Sequence, residues 1–476
     1  MWLGLDIGTQ SVRAAAIAET GSVLAHGAQP LTGRRQGPCH EQEAEAWWRA
    51  AVLACGEIMG RLAGREIRGL AVAGTSGTIL LTDRSGRALT PGMMYDDVRA
   101  REEAEIINQT ASFPCRMQPS WALPKLLWLL RHQPEVASRG RLVHQADFIN
   151  ERLAGHPLAT DSSNALKTGY DLVRERWPEE SFASLGIPDT ILPEVVHPGM
   201  QLGVVDRAAA MATGIPVGTP IYAGMTDGCA AQIASGALQI GNWNSVLGTT
   251  LVLKGVAASL LSDPAGIIYS HRLPGGDWLP GAASSTGAGI LSQRFPGRDL
   301  HQLDTQAARR EPASIVAYPL AGRGERFPFC APEAEGFVLG NPFDEADLCA
   351  ALLQGTAFIE RLCYAYLRLL GMPFDGSLTL TGGAARSRYW CQLRADILGW
   401  PVRLPENTEP ALGVAILAAS AGQRIAQVAA KMVSIREVIE PRPDRAGRFQ
   451  EPYGKLLAEL ARRGWLSPAL LQKANT

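Results

Sequence analysis

One acid in the sequence has only small and apolar neighbours along the chain. Asp227 lies in the stretch GMTDGCAAQIASGA, residues 224–237, and no residue within several positions of it carries the opposite charge. Burial without a partner favours the neutral form of a carboxyl group. An ionised acid in this setting therefore indicates a chemical task. The plainer alternatives are a helix cap or a buried, hydrogen-bonded acid.

A second candidate is the turn DIGTQS, which begins at Asp6 and combines one acid with several hydrogen-bond donors. Gly8 lets the backbone approach a ligand closely. Thr9, Gln10 and Ser11 add hydroxyl and amide donors, and oriented backbone amides in such a turn can hold a phosphate. Asp6 ends the preceding strand and is a candidate ligand of magnesium, through water. For this motif alone, the alternative is an ordinary β-turn.

A similar turn, LGTT, lies about half the chain later, at Gly248, Thr249 and Thr250. Its flanks also match, because SVLGTTLV resembles LDIGTQSV near the N-terminus. A further pair is GLAVAGTSG and SLTLTGGAA, each a strand that runs into a glycine-rich turn. This internal repeat predicts two domains of like topology, with a boundary near residue 240 and a ligand cleft between them. Two donor-rich turns at equivalent places could then hold one polyphosphate from both sides.

The later glycine-rich turn lies in LTLTGGAARSRYWCQLRADILG, which predicts a strand, a Gly-Gly turn and a long helix. Glycines at a helix N-terminus let a flat ring lie against the backbone. The alternative is a plain strand-to-helix connection. A following apolar segment, EPALGVAILAA, predicts a core helix in which Gly413 allows close packing.

Several familiar site motifs do not occur in the sequence. There is no G-x-x-x-x-G-K-[ST] phosphate loop, and no G-x-G-x-x-G follows a strand. The stretch GTSGT around Ser76 resembles a nucleophile elbow, but that motif needs a glycine where Thr78 stands. The eight histidines show no zinc-binding spacing. A P-loop enzyme is therefore excluded, and the hydrolase and zinc hypotheses are weak.

The elements that must position these residues follow from the hydrophobic pattern. The segments WLGLDIG, SVRAAAIA and SVLAHGA are short strands joined by tight turns, which predicts an antiparallel meander. The stretch EQEAEAWWRAAVLACGEIMGRLAG predicts an amphipathic helix with acids in its first turn. The segment IRGLAVAGTSGTILLTDRSG predicts two strands around a Gly/Ser/Thr turn, and PKLLWLLRHQPEVA predicts a helix.

Length and composition bound the class of protein. The chain has 476 residues, 46% apolar and 19% charged, which suits two globular domains. A net charge of −1 gives no reason to expect nucleic acid or membrane as a partner. No signal peptide or membrane-spanning run is evident. We therefore expect a cytoplasmic protein with reduced, mostly buried thiols. The eight cysteines are Cys39, Cys55, Cys115, Cys229, Cys330, Cys349, Cys363 and Cys391.

Taken together, these segments resemble the FGGY family of carbohydrate kinases, which belongs with actin, hexokinase and the heat-shock chaperone ATPases. The resemblance covers nearly the whole chain and rests on nine segments in the right order. They are GLDIGTQSVR, GTILLTDRSGRALTPGMMYDDVRA, PKLLWLL, TDSSNALKTGYD, GMTDGCAAQIASGA, SVLGTT, GERFPFCAPEAEGFVLG, TGGAARSRYWCQLRADILG and EPALGVAILAA.

The resemblance implies an α/β fold of two ribonuclease-H-like (actin/hexokinase-type) domains flanking a central cleft. Residues 1–240 would form the N-terminal, sugar-binding domain, and residues 241–476 would form the C-terminal, ATP-binding domain. The implied cofactors are ATP and Mg²⁺, and the implied partners are the sugar and ATP. We expect no nucleic acid and no membrane partner, and a homodimer stays open.

The resemblance also implies roles for the candidate residues. Asp227 matches the catalytic base, which orients a sugar hydroxyl and accepts its proton, and Asp6 would help to place Mg²⁺. Phosphates would be held by the turns Gly8, Thr9 and Gln10, and Gly248, Thr249 and Thr250. The adenosine would be bordered by Gly382, Gly383 and Ala384. The sugar pocket would include Ser76, Gly77, Asp97, Gln10 and Ser11, with Asn164 in a nearby segment.

Three departures from the family pattern bear on the substrate more than on the type of reaction. Xylulokinases of this family commonly show GQMHG and WND, where this chain has GTSGT and YDD. In addition, Ala384 stands where a third glycine is common. The stretches GTSGT and YDD look like the ribulokinase-type subgroup, so we expect a D-ribulose kinase, with a xylulokinase or another ketose or polyol kinase as the alternative.

Two hypotheses from other classes remain. One is a non-catalytic sensor of nucleotide or sugar on the same fold, which the intact acids Asp6 and Asp227 and both Gly-Thr turns argue against. The other is an actin-like or chaperone-like ATPase, for which the sequence shows no added domain or long insertion. Comparing ATP turnover with and without a panel of sugars separates all three.

Overall fold

The computed structural model describes residues 1–62, 64–113 and 116–476. By its contacts the chain divides into two compact units. The first comprises Met1–Gly236, His271–Gly276 and Asn407–Ser434, and the second comprises Ala237–Ser270, Asp277–Glu406 and Ile435–Thr476. Two short later segments therefore belong with the first unit, which a single division at residue 240 does not anticipate.

Strands and helices are interspersed along the whole chain, with runs of consecutive strands near the start of each unit. The strands are β1 (Trp2–Ile7), β2 (Ser11–Ile17), β3 (Val23–Pro30), β4 (Arg34–Gln36), β5 (Cys39–Gln42), β6 (Leu70–Gly74), β7 (Ile79–Thr82), β8 (Gly92–Met93), β9 (Arg141–His144), β10 (Thr160–Asp161), β11 (Val195–Val196), β12 (Gln201–Val204), β13 (Pro220–Tyr222), β14 (Trp243–Leu247), β15 (Leu251–Gly255), β16 (Tyr269–Arg272), β17 (Trp278–Ser284), β18 (Val316–Glu325), β19 (Ala331–Leu339), β20 (Leu378–Thr381), β21 (Val402–Pro405) and β22 (Ile435–Ile439). The helices are α1 (Ala44–Met59), α2 (Arg101–Thr110), α3 (Ala122–His132), α4 (Pro134–Ala137), α5 (Gln145–Ala154), α6 (Ser162–Ala165), α7 (Glu179–Ser184), α8 (Arg207–Thr213), α9 (Asp227–Ala234), α10 (Gly289–Arg294), α11 (Leu300–Ala307), α12 (Glu345–Leu369), α13 (Arg388–Leu398), α14 (Pro410–Ala419), α15 (Ile425–Met432), α16 (Pro443–Ala446), α17 (Gln450–Arg462) and α18 (Pro468–Ala474). Short 3₁₀ turns occur at Leu166–Thr168, Asp189–Ile191, Gly383–Arg386 and Gly447–Phe449.

The central sheet of the first unit has the strand order β12-β13-β6-β1-β2-β3. Strands β1, β2 and β3 pair antiparallel, which confirms the predicted meander. On its other side β1 pairs parallel with β6, and β6 pairs parallel with β13. The carboxyl ends of parallel strands lie at one edge of a sheet, where ligands of α/β folds commonly bind. The residues that follow β1, β6 and β13 are therefore brought to that edge.

The main sheet of the second unit repeats this plan. Its strands include the order β17-β15-β14-β20-β21-β22. Strand β14 pairs antiparallel with β15 and parallel with β20, as β1 pairs with β2 and β6. Strand β20 then pairs parallel with β21, whose other neighbour, β22, is antiparallel. The prediction of two domains with like topology is confirmed, and so is the mixed α/β class.

Two predicted elements differ in detail from the structure. Strand β7 does not extend the sheet that holds β6 but joins a five-stranded sheet of order β4-β5-β8-β7-β9. The predicted helix that starts at PKLLWLL ends at His132, because Pro134 cannot donate a backbone hydrogen bond and starts the separate helix α4. The predicted helix within EQEAEAWWRAAVLACGEIMGRLAG runs over Ala44–Met59.

Each unit has its own apolar core. In the second unit a fully buried ion pair adds to this core, because Arg394 donates to both carboxylate oxygens of Glu360 at 2.7 and 2.9 Å and to the Ser245 hydroxyl on β14 at 2.7 Å. None of the seven described cysteines forms a disulfide, and five of them are buried, while Cys115 lies outside the described residues. In the described ranges, no helix is long and apolar enough to cross a bilayer.

Helix α14 is apolar all round and buried from Ala411 onward, and it packs on β1, β6 and α9 within the first unit. A Cβ built on Gly4 of β1 would lie 1.8 Å from the carbonyl oxygen of Ala411, and a Cβ on Gly413 would lie 1.8 Å from the carbonyl oxygen of Ala230 in α9. Backbone therefore meets backbone on both faces of the helix. The expectation that Gly413 permits close packing is confirmed.

Substitution of Gly413 by alanine should destabilise the first unit. The added methyl group has no space beside Ala230, so α14 must move away from α9. Overpacking of this kind costs roughly 1–3 kcal/mol. Urea unfolding of the full chain measures the change. The matched control is Gly56→Ala on the exposed side of α1, where no atom lies within 4 Å and alanine should stabilise by up to about 1 kcal/mol. Equal stability of the two variants would contradict this packing.

Candidate active site

Asp227 is the first residue of helix α9 and follows a short extension of the central sheet. Gly74, at the end of β6, forms a parallel bridge with Thr226, and the Thr226 amide donates to the Ser163 hydroxyl at 3.0 Å. The carboxylate of Asp227 accepts a hydrogen bond from the Gly228 amide at 2.6 Å. The positive end of the helix dipole stabilises an acid at this position. This is the stabilisation that the surrounding sequence does not supply.

Asp6 lies at the same edge, near the end of β1, with its side chain buried. One carboxylate oxygen accepts from Arg13 at 3.2 Å, while the other, Oδ1, is buried without a hydrogen-bond partner. Arg13 also lies 3.4 Å from Glu409. Burial and then the nearby charge of Asp227 raise the pKa of Asp6 to about 7, against the opposing effect of Arg13. The two acids are therefore close enough to repel each other.

This pair of acids fits a divalent cation. An unpartnered, buried carboxylate oxygen and the repulsion between Asp6 and Asp227 would both be relieved by a hard cation with oxygen ligands. Among the described residues there is no cluster of three or more metal-binding side chains. Mg²⁺ commonly binds through one or two carboxylates, water and substrate phosphates, so a cluster of that size is not required.

The turn after β1 is held from the inside of the unit. The Gly8 amide donates to the carbonyl of Ser11 at 3.0 Å, and the Gln42 side chain donates to the carbonyl of Thr9 at 2.7 Å. The Trp47 indole in turn donates to Gln42 at 2.7 Å, which fixes the amide. Gln10 is exposed, and Gly8, Thr9 and Ser11 are half-buried. The backbone of the turn is thus held by hydrogen bonds, while its polar side chains stay partly or fully exposed.

The turn after β6 carries Ser76 and Gly77. The Ser76 hydroxyl is buried and has no hydrogen-bond partner, and Gly77 has a φ of +93°, which favours glycine. Buried polar groups are nearly always hydrogen-bonded, so this hydroxyl is suited to a ligand. The preceding Thr75 donates through its amide to Gln145 at 2.9 Å, and the Nε2 of Gln145 also lacks a partner.

Asp97, a predicted sugar-pocket residue, and Asn164, in a segment predicted to lie nearby, both have side chains that are already hydrogen-bonded within the protein. The carboxylate of Asp97 is fully buried and accepts hydrogen bonds from the Nε, Nη2 and backbone amide of Arg99 at 2.6–3.1 Å and from the His40 amide at 2.8 Å. The Asn164 amide donates to Asp161 at 2.6 Å and is buried as well. These side chains shape the neighbouring backbone. By contrast, Tyr95 is 44% exposed, and its pKa is raised by partial burial and by the charges of Asp96 and Asp227.

Two neighbours of the site, Arg13 and Gln145, were not expected from the sequence, whereas Tyr95 belongs to the YDD stretch that was expected to bear on the substrate. The register of the β1–β2 hairpin places Arg13 opposite Asp6. The hairpin itself was predicted, so working out which residues pair in it would have identified Arg13. Gln145 offers no such local signal, because it reaches the site through its contact with Thr75, a residue 70 positions away in the chain.

The second unit carries its candidate residues at the equivalent sheet edge. The register of β14 and β20 pairs Val246 with Thr381, so the turns that follow both strands are adjacent. The first turn is closed by the Gly248 amide, which donates to the carbonyl of Thr250 at 3.1 Å, and Thr249 is exposed.

The glycine-rich turn beside it packs closely against the end of β14, where a side chain has no space. Gly382 has a φ of +84°, and a Cβ there would lie 2.6 Å from the carbonyl oxygen of Leu247. Gly383 is exposed, whereas Ala384 is buried in the 3₁₀ turn. The edge thus presents bare backbone beside a Gly-Thr-Thr turn, an arrangement suited to a ring and its phosphates.

The chain is similar to known proteins both in sequence and in structure. Residues 1–234 match the N-terminal domain model of the FGGY family of carbohydrate kinases, and residues 268–422 match the C-terminal domain model. The chain is 31% identical over 443 residues to the xylulose kinase of Streptomyces coelicolor, covering 88% of the chain and 87% of the relative. It is 29% identical over 435 residues to the xylulose kinase of Klebsiella pneumoniae, covering 88% and 89%. The crystal structure of a "xyloylose kinase" from Brucella ovis superposes with a TM-score of 0.89 at 25% identity, covering 98% and 99%.

The buried charge of Asp6 should cost stability in the absence of metal. Because its pKa is raised in the folded protein, the stability contributed by this group is full below the unfolded pKa, near 3.8, and is lost as the pH rises through about 7. Asp6→Asn should therefore stabilise the protein, and the gain should grow by roughly 1–3 kcal/mol between pH 5 and pH 8. Urea unfolding with a chelator measures it.

The control for this experiment is Asp189→Asn, an exposed acid at the start of a 3₁₀ turn in the same unit. It should leave the free energy of unfolding nearly unchanged at both pH values. A gain for Asp6→Asn that is the same at pH 5 and pH 8 would show that Asp6 is not held in this electrostatic environment.

Proposed function

Because the chain belongs to the FGGY family of carbohydrate kinases, which use ATP as phosphate donor, we propose that it phosphorylates the terminal hydroxyl of a ketopentose. The proposed acceptor is D-ribulose, and the product is D-ribulose 5-phosphate. One observation carries the proposal: Asp227 begins α9 beside the buried Asp6, at the sheet edge that also holds the unpartnered Ser76 hydroxyl.

Asp227 would act as the general base. The N-terminus of α9 favours the charged carboxylate, which is the form that can accept a proton. The carboxylate orients the acceptor hydroxyl and takes its proton while the sugar oxygen forms a bond to the γ-phosphorus. The bond between the γ-phosphorus and the bridging oxygen breaks, and ADP leaves. Such a transfer needs mainly positioning and charge stabilisation from the protein.

Asp6 would help to hold Mg²⁺, which when bound neutralises charge on the phosphates. The chain's own contribution is the buried carboxylate with its free Oδ1 and the half-exposed Arg13 beside it. Holding this acid ionised costs folding free energy, as its raised pKa indicates. A cost of this kind is typical of functional sites, which trade stability for activity.

We assign the acceptor to the first unit and ATP to the second. The turns at Gly248–Thr250 and Gly382–Ala384 support the ATP assignment, since they combine amide and hydroxyl donors with exposed glycine backbone. Gln10, Ser11 and the Ser76–Gly77 turn support the acceptor assignment, together with the Asp6 and Asp227 pair. Gly8 and Thr9 are assigned to the phosphates.

The choice of D-ribulose rests on the small side chains of the Ser76–Gly77 turn. A serine hydroxyl can both donate and accept, and glycine contributes no side chain at all. Xylulokinase-like sequences have a Met-His pair in this place, so the contacts that such a pair makes are missing here. The second candidate is D-xylulose, because the relatives named above are xylulose kinases. The two sugars differ in the configuration of one hydroxyl, so a few hydrogen bonds must decide between them.

Asp227→Asn should abolish most sugar phosphorylation. It keeps the size of the side chain but cannot accept the proton, and loss of a general base typically costs 10²–10⁴-fold. We expect kcat to fall in that range, with ATP binding and folding retained, as measured by coupled ADP release and by ATP titration. The same exposed control, Asp189→Asn, should keep full turnover. Near-normal turnover by Asp227→Asn would refute the assignment.

Ser76→Ala should lower kcat/KM for D-ribulose and leave any ATP hydrolysis without sugar unchanged. A mispaired hydroxyl in a buried site costs about 1–3 kcal/mol, or roughly 5- to 150-fold. Wild-type kcat/KM for D-xylulose should be lower than for D-ribulose by a similar factor. Initial rates over pentuloses, pentitols, hexuloses and glycerol measure both effects.

The control for the acceptor experiment is Ser184→Ala, an exposed serine whose hydroxyl donates to the Ser181 carbonyl at 2.8 Å. It should behave as wild type. If D-xylulose or glycerol is the better substrate by about tenfold, the acceptor assignment is wrong, whereas the family assignment to carbohydrate kinases stands.

A further inference from the structure

The side chain of Lys125, on helix α3, is completely buried in the first unit. Its ammonium group donates to the carbonyl of Gly77 at 2.5 Å and to the carbonyl of Met94 at 2.9 Å, with Met93 at 3.4 Å. Lysine is almost never fully buried unless a partner stabilises it. Here three carbonyl oxygens, all of them backbone, take that role.

These carbonyls belong to two separate segments of the proposed acceptor site. Gly77 is part of the turn that carries the unpartnered Ser76 hydroxyl. Met93 and Met94 directly precede Tyr95, whose pKa responds to the charge of Asp227. The Lys125 ammonium therefore ties one segment to the other with its three N–H donors.

Neighbouring contacts reinforce both ends of this tie. Lys167 donates to the carbonyl of Ser76 at 3.3 Å, so consecutive carbonyls of the turn each face a lysine. On the other segment, the carbonyl of Met94 also accepts from the Asp97 amide at 2.9 Å. A Cβ on Gly77 would lie 3.3 Å from the Ser120 carbonyl oxygen, so the turn has little room to shift toward α3.

We propose that protonated Lys125 is a positioning residue that holds the Ser76–Gly77 turn against the Met93–Met94 segment and so sets the affinity for the sugar acceptor. The inference rests on the proposed function, because it takes these two segments as the acceptor site. Lys125 acts through backbone carbonyls and contacts neither ATP nor the reacting atoms in this account. An ammonium donates three charge-assisted hydrogen bonds, which are roughly twice as strong as neutral ones, whereas a neutral amine donates two.

The protonation state of Lys125 is sensitive to pH near neutrality. Burial lowers the pKa of Lys125 to about 7, and the charges that face it have mixed effects. Asp97 and Asp96, on the segment after Met94, raise that pKa, while Lys167 and Arg99 lower it. Above pH 7 a growing fraction of the protein should therefore have a neutral amine at this point and a looser acceptor site.

The kinetic test compares wild type with Lys125→Met, which keeps length but removes the charge and all donors. In wild type the KM for D-ribulose should rise about tenfold between pH 6.5 and pH 8.5, with little change in the KM for ATP. In Lys125→Met the KM for D-ribulose should be high and flat over this range. The control Lys431→Met, an exposed lysine of α15, should reproduce the wild-type profile.

A second measurement needs neither the variant nor turnover. Amide hydrogen exchange of wild type, corrected for the intrinsic effect of pH, should show protection of peptides covering residues 75–78 and 93–97 that falls about tenfold from pH 6.5 to pH 8.5. Peptides from α5 should show no such fall. If Lys125→Met folds, its protection in these two segments should be low at both pH values.

The outcomes separate this proposal from the proposed function. If wild type phosphorylates D-ribulose but the variant keeps the wild-type pH dependence of KM, Lys125 is only structural and the proposal is overturned. If no D-ribulose is phosphorylated, the proposed acceptor is wrong. Hydrogen exchange alone then tests whether Lys125 holds the two segments together. Protection that does not change with pH in either segment overturns the proposal in every case.

Discussion

The contact on which the first unit most depends is the backbone packing of α14 between β1 and α9. Gly4 and Gly413 leave no room for a Cβ, because carbonyl oxygens of Ala411 and Ala230 lie 1.8 Å from where one would be. Strand β1 carries Asp6, and α9 begins with Asp227. The separation of the two acids is therefore set by glycine-mediated packing of one apolar helix. Even one methyl group at this contact would change it.

That packing has an electrostatic consequence. It holds Asp6 buried and within the field of Asp227, so the pKa of Asp6 is raised to about 7 although Arg13 is hydrogen-bonded to it. Desolvation outweighs the ion pair here because Arg13 is half-exposed and its charge is screened by solvent. The same burial strengthens any interaction with a cation, since the local dielectric is low. Without a metal ion, the ionised Asp6 thus lowers the stability of the fold. The same carboxylate is well suited to bind a metal ion that is also bound by phosphate groups.

Local patterns were enough to predict part of this arrangement. The β1–β2–β3 meander, the Gly-Thr turns after β1 and β14, and the like topology of the two sheets all followed from short motifs and their repetition. The position of α14 in the first unit could not be predicted in this way, although α14 comes late in the chain. The sequence of an apolar helix shows that the helix is buried, but not in which core. Nor did the pairing of Asp97 with His40, which are 57 positions apart, since such contacts depend on the completed fold.

The shape of the proposed acceptor site depends mainly on lysine and arginine side chains that hold its backbone in place. Side chains that could contact the sugar directly contribute less. Lys125 and Lys167 hold the carbonyls of the turn at Ser76 and Gly77. Arg99 neutralises the buried Asp97, whose carboxylate also receives the His40 amide. The turn itself presents one small hydroxyl. Selectivity between two epimeric sugars would then depend on where this backbone lies, to a fraction of an ångström. A change of acceptor would accordingly require changes in the supporting cations as well as in the residues that touch the sugar.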